Sequence, residues 1–174
     1  MSHAAGIGGD PSRIYLAGHS AGAQIAGLLA YDSARLERAG LRPGIVQGFI
    51  GLSGPYALDP DTDTLSTIFA APYGFDDWQP VRKVMPKSPP ALLVHGEDDD
   101  VVWVSHTRRM AEALTRSGVP VTLRLYAGRG HADTVAAFAK LAPRKLPILA
   151  EIAGFIEGER PGGVAAGLRE VAGR

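Results

Sequence analysis

The feature that most constrains this chain is the pentapeptide Gly18-His19-Ser20-Ala21-Gly22, because of what stands on either side of it. Before it, Arg13 to His19 forms an almost continuous apolar run through Ile14-Tyr15-Leu16-Ala17, the pattern of a strand covered on both faces. After it the spacing turns helical, from Ala21 to about Arg38, with Ile25, Leu28, Leu29 and Leu36 on one side. Ala21, Gly22, Ala23, Ala26, Gly27 and Ala30 keep that helix thin, so it can approach a sheet closely. A chain that passes from buried strand to close-packed helix through one residue must turn sharply, and a serine at such a turn is pushed out above the sheet. The five residues alone say little. With 22 glycines in 174 residues, Gly-x-Ser-x-Gly arises by chance in about one such chain in seven, so the flanks carry the reading. The competing role for Ser20 is a helix N-cap, since serine is favoured there.

The rest of the chain alternates strand and helix. Ile45 to Leu52 reads as a second strand and Ala91 to His95 as a third, followed by a helix from Val104 to Ser117 that Gly118 and Pro120 stop. Val121 to Tyr126 alternates apolar and polar residues, as a strand nearer the sheet's edge does. Two helical stretches follow, Ala132 to Leu141 and Pro147 to Glu157. This order predicts an α/β fold with a parallel sheet flanked by helices. Residues 1–157 are expected to form the domain, with 57–90 as a lid or pocket wall carrying Asp59, Asp61, Asp63, Phe69, Tyr73, Phe75 and Trp78 and one short helix at Thr64 to Ala70. Residues 158–174 read as a Gly/Ala-rich tail that frays.

Composition narrows the function. Eighteen basic residues balance eighteen acidic ones, and no basic cluster exceeds Arg108-Arg109 or Arg144-Lys145, so no nucleic-acid partner is expected. No apolar run reaches the length of a membrane span, and no membrane partner is expected. The absence of cysteine excludes thiolate chemistry and fits a cytoplasmic protein. No metal is expected, because Asp98-Asp99-Asp100 lacks the spacing of a calcium loop. No cofactor is expected either: Gly6-x-Gly8 precedes its strand instead of following it.

In open parallel sheets the working groups lie beyond the C-terminal ends of the strands. Three such ends present Ser20, an aspartate cluster and His131, which together supply a nucleophile, an acid and a base. Serine needs an imidazole to take its proton, and the imidazole needs a carboxylate to hold its tautomer. On the residues alone, Asp98 or Asp100 competes with Asp99 for the acid, and His131 competes with a plain surface loop. His19 and His95, inside strand ends, read as packing residues or as residues that support the site from behind, not as bases, and His3 and His106 as solvated.

The run from Gly8 to Gly22, together with Leu92-Leu93-Val94-His95-Gly96-Glu97-Asp98-Asp99 and Gly128-x-Gly130-His131, resembles the α/β-hydrolase superfamily. It is most similar to the bacterial carboxylesterases related to hormone-sensitive lipase and to kynurenine formamidase. The resemblance implies Ser20 as nucleophile, Asp99 as acid and His131 as base, with the Ala21 N–H as one oxyanion donor. It implies a small-molecule ester as substrate, cleaved through an acyl-enzyme, with an arylformamidase-like amide hydrolase or a catalytically silent α/β-hydrolase fragment as the alternatives.

That family carries its second oxyanion donor on a His-Gly-Gly-type loop upstream of the elbow, and Gly8-Gly9 is on the wrong side of the strand to serve. Gly8-Gly9 followed by Pro11 is also the punctuation that ends a helix. The chain is therefore expected to be the C-terminal portion of an α/β-hydrolase fold, N-terminally truncated. Its first strand would then expose an edge open to self-association. Loss of one oxyanion donor would slow turnover by roughly 10²–10³-fold.

Overall fold

The computed structural model describes residues 5–58, 74–139, 146–158 and 169–173. At its centre is a five-stranded parallel sheet whose strands lie side by side in chain order: β1 (Ile14–His19), β2 (Val46–Leu52), β3 (Ala91–Gly96), β4 (Val121–Tyr126) and β5 (Arg169–Gly173). Helices α1 (Ala21–Tyr31) and α2 (Ser33–Arg38) cross from β1 to β2, and α3 (Ser105–Arg116) crosses from β3 to β4. The short α4 (Asp133–Ala136) and α5 (Ile148–Glu157) follow β4. Among the described residues no helix is long and apolar enough to cross a membrane.

Successive strand residues feed opposite cores, as a period of two requires. Phe49, Leu93, Leu123 and Leu125 pack with Met110 and Leu114 of α3 and Ala23 and Tyr31 of α1. Ile50, Leu52, Leu92, Val94 and Tyr126 pack on the other face with Ile148, Ile152 and Phe155 of α5. Each fully buried Leu, Ile or Phe contributes roughly 1.5–3 kcal/mol relative to exposure, which commits the strands to a sandwiched position between helices. The central β3 is buried along its whole length.

Register places the site. Gly18 lies opposite Gly51 and His19 opposite Leu52. The pairing continues past the strand ends, with the Ser20 N–H donating to Leu52 O at 2.9 Å, the Ser53 N–H to Val94 O at 2.9 Å and the Glu97 N–H to Tyr126 O at 3.0 Å. Four loops therefore leave the sheet at one level.

The helix read as running from Ala21 to Arg38 is broken at Asp32 (φ −102°, ψ 87°). Aspartate competes poorly for a helix interior, and here its carboxylate pairs with Arg35 Nε at 3.0 Å. The alternation of β4 marks a shielded ion pair: Arg124 Nε meets Glu151 Oε1 of α5 at 3.0 Å with both side chains under a fifth exposed. β4 is accordingly next to last, because β5 pairs beyond it from within the stretch read as a tail. The helix expected from Ala132 to Leu141 shortens to the single turn of α4, with residues 140–145 outside those described.

Much of the expected lid, residues 59–73 with the helix at Thr64 to Ala70, also lies outside the described residues. The remainder turns back along α1. Gln24 Nε2 donates to Trp78 O at 2.9 Å, and a Cβ on Gly27 would stand 3.1 Å from Pro80 Cβ. Trp78 and Gln79 are buried there.

The two glycines that flank Ser20, Gly18 and Gly22, differ sharply. A Cβ on Gly18 would lie 2.3 Å from Gly22 O and 2.6 Å from Ala23 N, whereas one on Gly22 would meet nothing within 4 Å. Gly18→Ala is expected to destabilise the fold by roughly 3 kcal/mol, since rigid backbone cannot yield to it. Gly22→Ala, inside α1, is expected to gain about 0.5–1 kcal/mol. Urea unfolding of the two variants checks both signs.

Candidate active site

Ser20 stands at φ 56° and ψ −129°, a strained conformation for a residue with a side chain. The turn it makes lifts its hydroxyl off the end of β1 and leaves it without a capping bond to α1. The hydroxyl goes to His131 instead: His131 Nε2 lies 2.9 Å from Ser20 Oγ. His131 Nδ1 lies 2.8 Å from Asp99 Oδ2. A carboxylate can only accept, so Nδ1 carries the proton and Nε2 accepts the Ser20 hydroxyl. The three sequence-predicted residues are thus brought together in one hydrogen-bonded line, although they come from three separate loops.

Asp98 and Asp100 are exposed and Asp99 is buried. The Asp99 side chain turns inward because Oδ1 accepts the Val101 N–H at 3.0 Å and the Val102 N–H at 2.8 Å. Oδ2 accepts the His131 N–H and stands 3.1 Å from Nε2 of the fully buried His95, whose proton goes to Val102 O. Burial pushes the Asp99 carboxyl up, but the Val102 N–H, His131 and the Val101 N–H outweigh it and hold the group below its ordinary value.

The loop bearing His131 is fixed by its glycines and by its carbonyl. A Cβ on Gly96 would stand 2.2 Å from Arg129 O, so the end of β3 and this loop meet backbone to backbone, and the Asp98 N–H donates to the same carbonyl at 3.0 Å. The Gly130 N–H donates to Asp133 Oδ2 at 2.8 Å. The His131 carbonyl accepts from His19 Nε2 at 3.0 Å and from Thr134 Oγ1 at 3.3 Å. Thr134 Oγ1 lies 3.0 Å from Ser53 Oγ; with its own proton on His131, it accepts from Ser53. Ser53 is fully buried at φ 47°. The His19 ring also lies against that of His131, with centroids 4.7 Å apart. Of the two roles the sequence leaves to His19, packing and support of the site, it fills both. Ser53, Thr134 and Thr107 carried no signal in the sequence beyond being hydroxyl residues near strand ends or a helix start. His106, read as solvated, is half-buried, and His3 lies outside the described residues.

Ala21 begins α1, where the first N–H groups have no intrahelical partner and the helix dipole favours negative charge. An acyl oxygen placed beside Ser20 would meet that end of the helix.

Two buried groups make the fold acid-sensitive. Burial pushes the His95 pKa below its ordinary value of 6.5, more than the Val102 carbonyl and the Asp99 charge raise it. The unfolded chain therefore binds a proton that the folded one does not as pH falls below 6.5, and stability drops from there downward. The Asp99 contribution is full above its ordinary 3.8 and is lost as pH falls through its lower folded value. Denaturation midpoints measured from pH 8 to pH 3 are expected to fall in those two stages, and a His95→Gln variant is expected to lack the first.

The prolyl oligopeptidase family profile matches residues 4–145. The chain is 30% identical over 149 residues to the isoprenylcysteine alpha-carbonyl methylesterase of Arabidopsis thaliana, covering 73% of this chain and 35% of that one. It is 29% identical over 147 residues to a probable isoprenylcysteine alpha-carbonyl methylesterase of Oryza sativa subsp. japonica, covering 72% and 36%. The chain thus spans about a third of the length of the curated relatives it matches. Among solved structures, a carboxylesterase of Lactobacillus plantarum superposes with a TM-score of 0.70 at 22% identity, over 93% of this chain and 65% of that one. A truncated form of a carbohydrate esterase from gut microbiota gives 0.73 at 16%, over 91% and 63%. These likenesses show the fold. The family match runs through Ser20, Asp99 and His131 alike, and on it the chain belongs to the prolyl oligopeptidase family, within the α/β-hydrolase superfamily.

Proposed function

We propose that this chain is a serine hydrolase that cleaves small carboxylic esters through an acyl-enzyme. The observation that carries this is the line Ser20 Oγ, His131 Nε2, His131 Nδ1, Asp99 Oδ2, with links of 2.9 and 2.8 Å. Ser20 Oγ attacks the ester carbonyl carbon while its proton passes to His131 Nε2. The oxygen that becomes negative faces the Ala21 N–H at the start of α1. As the tetrahedral species collapses, His131 returns the proton to the departing alkoxide and the acyl group stays on Ser20. Water then repeats the sequence and frees the acid. Asp99 stays ionised, holding the imidazole tautomer and stabilising the imidazolium.

The ester preference is supported by the relatives, which are named as methylesterases, and by structural neighbours named as carboxyl and carbohydrate esterases. A cytoplasmic location belongs to the same proposal, supported by the cysteine-free sequence. Parallel assays with p-nitrophenyl acetate, N-formylkynurenine and a prolyl peptide anilide test it. Turnover of the acetate ester with the largest kcat/KM is expected. Preference for N-formylkynurenine or for the peptide would replace the ester assignment with an amidase one.

A further inference from the structure

His95 is buried beneath the acid and touches nothing that reacts. Its Nε2 lies 3.1 Å from Asp99 Oδ2 and 2.8 Å from Val102 O, and its Nδ1 lies 2.6 Å from Thr107 Oγ1. Two acceptors at Nε2 put the ring proton there, and Nδ1 then accepts the Thr107 hydroxyl, itself fully buried. The titratable groups facing the ring are Asp99, His131 and His106.

We infer that His95, as the neutral Nε2–H tautomer held by Thr107, is a positioning residue: its N–H, bonded to Val102 O and lying against Asp99 Oδ2, fixes the loop and the carboxylate oxygen that holds His131. This rests on Asp99 being the acid of a serine hydrolase. The contacts on Asp99 divide between its oxygens: two backbone N–H groups fix Oδ1, the His131 N–H donates to Oδ2, and His95 Nε2, whose proton is bonded to Val102 O, stands 3.1 Å from Oδ2. The backbone pair sets where the carboxylate sits. The His95 ring, held at Val102 O and packed beside Oδ2, places the positive end of its N–H near that oxygen and keeps the carboxylate from rotating about its own axis. Burial supports the assignment, because it disfavours the imidazolium that would otherwise neutralise Asp99.

Two substitutions separate positioning from packing. The amide nitrogen of glutamine reaches the place of Nε2, so His95→Gln keeps the donor to Val102 O beside Asp99 Oδ2. That of asparagine reaches only the place of Nδ1, so His95→Asn keeps a partner for Thr107 and loses the donor. The readouts are kcat and KM for p-nitrophenyl acetate and the low-field proton resonance of His131 Nδ1, identified by its loss in His131→Ala. His95→Asn is expected to shift or broaden that resonance and to lower kcat about tenfold to a hundredfold at unchanged KM, as loss of an outer-layer partner does. His95→Gln is expected to keep both near wild type. An unchanged resonance in His95→Asn, or an equal loss of kcat in the two variants, would overturn the assignment. Should His95→Asn fail to fold, nitrogen NMR of the wild-type ring decides: Nε2–H supports it, and an Nδ1–H tautomer or an imidazolium at neutral pH refutes it. A wild type inert toward a fluorophosphonate defeats the hydrolase proposal alone, since the resonances still report on His95.

Discussion

His131→Ala is expected to lower kcat for p-nitrophenyl acetate on the order of 10⁶-fold, to the level left by binding and the helix end, while the melting temperature changes little. The imidazole is part-exposed and its backbone contacts survive truncation, so the loss is chemical. Among the described residues, His19 is the imidazole whose ring packs on that of His131, with centroids 4.7 Å apart, which raises the question of a substitute. It is not expected to take over. Its Nε2 faces the His131 carbonyl and so carries the proton, leaving that nitrogen nothing with which to accept from Ser20. Steady-state kinetics of the single variant and of His19→Gln/His131→Ala check this, and equal residual rates are expected.

Asp99→Asn is expected to lower kcat about 10⁴-fold with KM nearly unchanged. An asparagine oxygen in the Oδ1 position can still accept the Val101 and Val102 N–H groups, so the loop keeps its shape. Its amide then faces His131 Nδ1 as a donor and selects the opposite tautomer, which turns Nε2 into a donor toward Ser20. The same amide meets His95 Nε2, another donor, so some destabilisation accompanies the kinetic loss. Asp98→Asn and Asp100→Asn, both at exposed positions, are expected to stay within about threefold of wild type, as surface changes away from a site do.

The strand, turn and helix around Ser20 were legible in the sequence because each flank has a separate physical cause: an apolar strand before the serine and a thin helix after it. The parallel sheet flanked by helices followed from the same alternation of apolar runs, whereas the order of its strands came from the coordinates. The choice among Asp98, Asp99 and Asp100 needed coordinates, since spacing treats adjacent carboxylates alike and only the Val101 and Val102 N–H groups turn one of them inward. Nothing in the neighbours of Ser53 signals that its hydroxyl is buried and bonded to Thr134. The break at Asp32 depends on one side chain pairing with Arg35 instead of extending the helix. β5 was missed because Arg169–Gly173 sits among glycines and alanines, without the β-branched run that marks a strand.

The central claim is that Ser20 is a nucleophile activated by His131. A fluorophosphonate probe applied to the folded wild type and to Ser20→Ala tests it most directly, with the labelled peptide mapped by mass spectrometry. Stoichiometric labelling confined to Ser20, absent in Ser20→Ala and slowed by several orders of magnitude in His131→Ala, is the expected result. Folded wild type that takes up no label, or label that persists in Ser20→Ala, would contradict it.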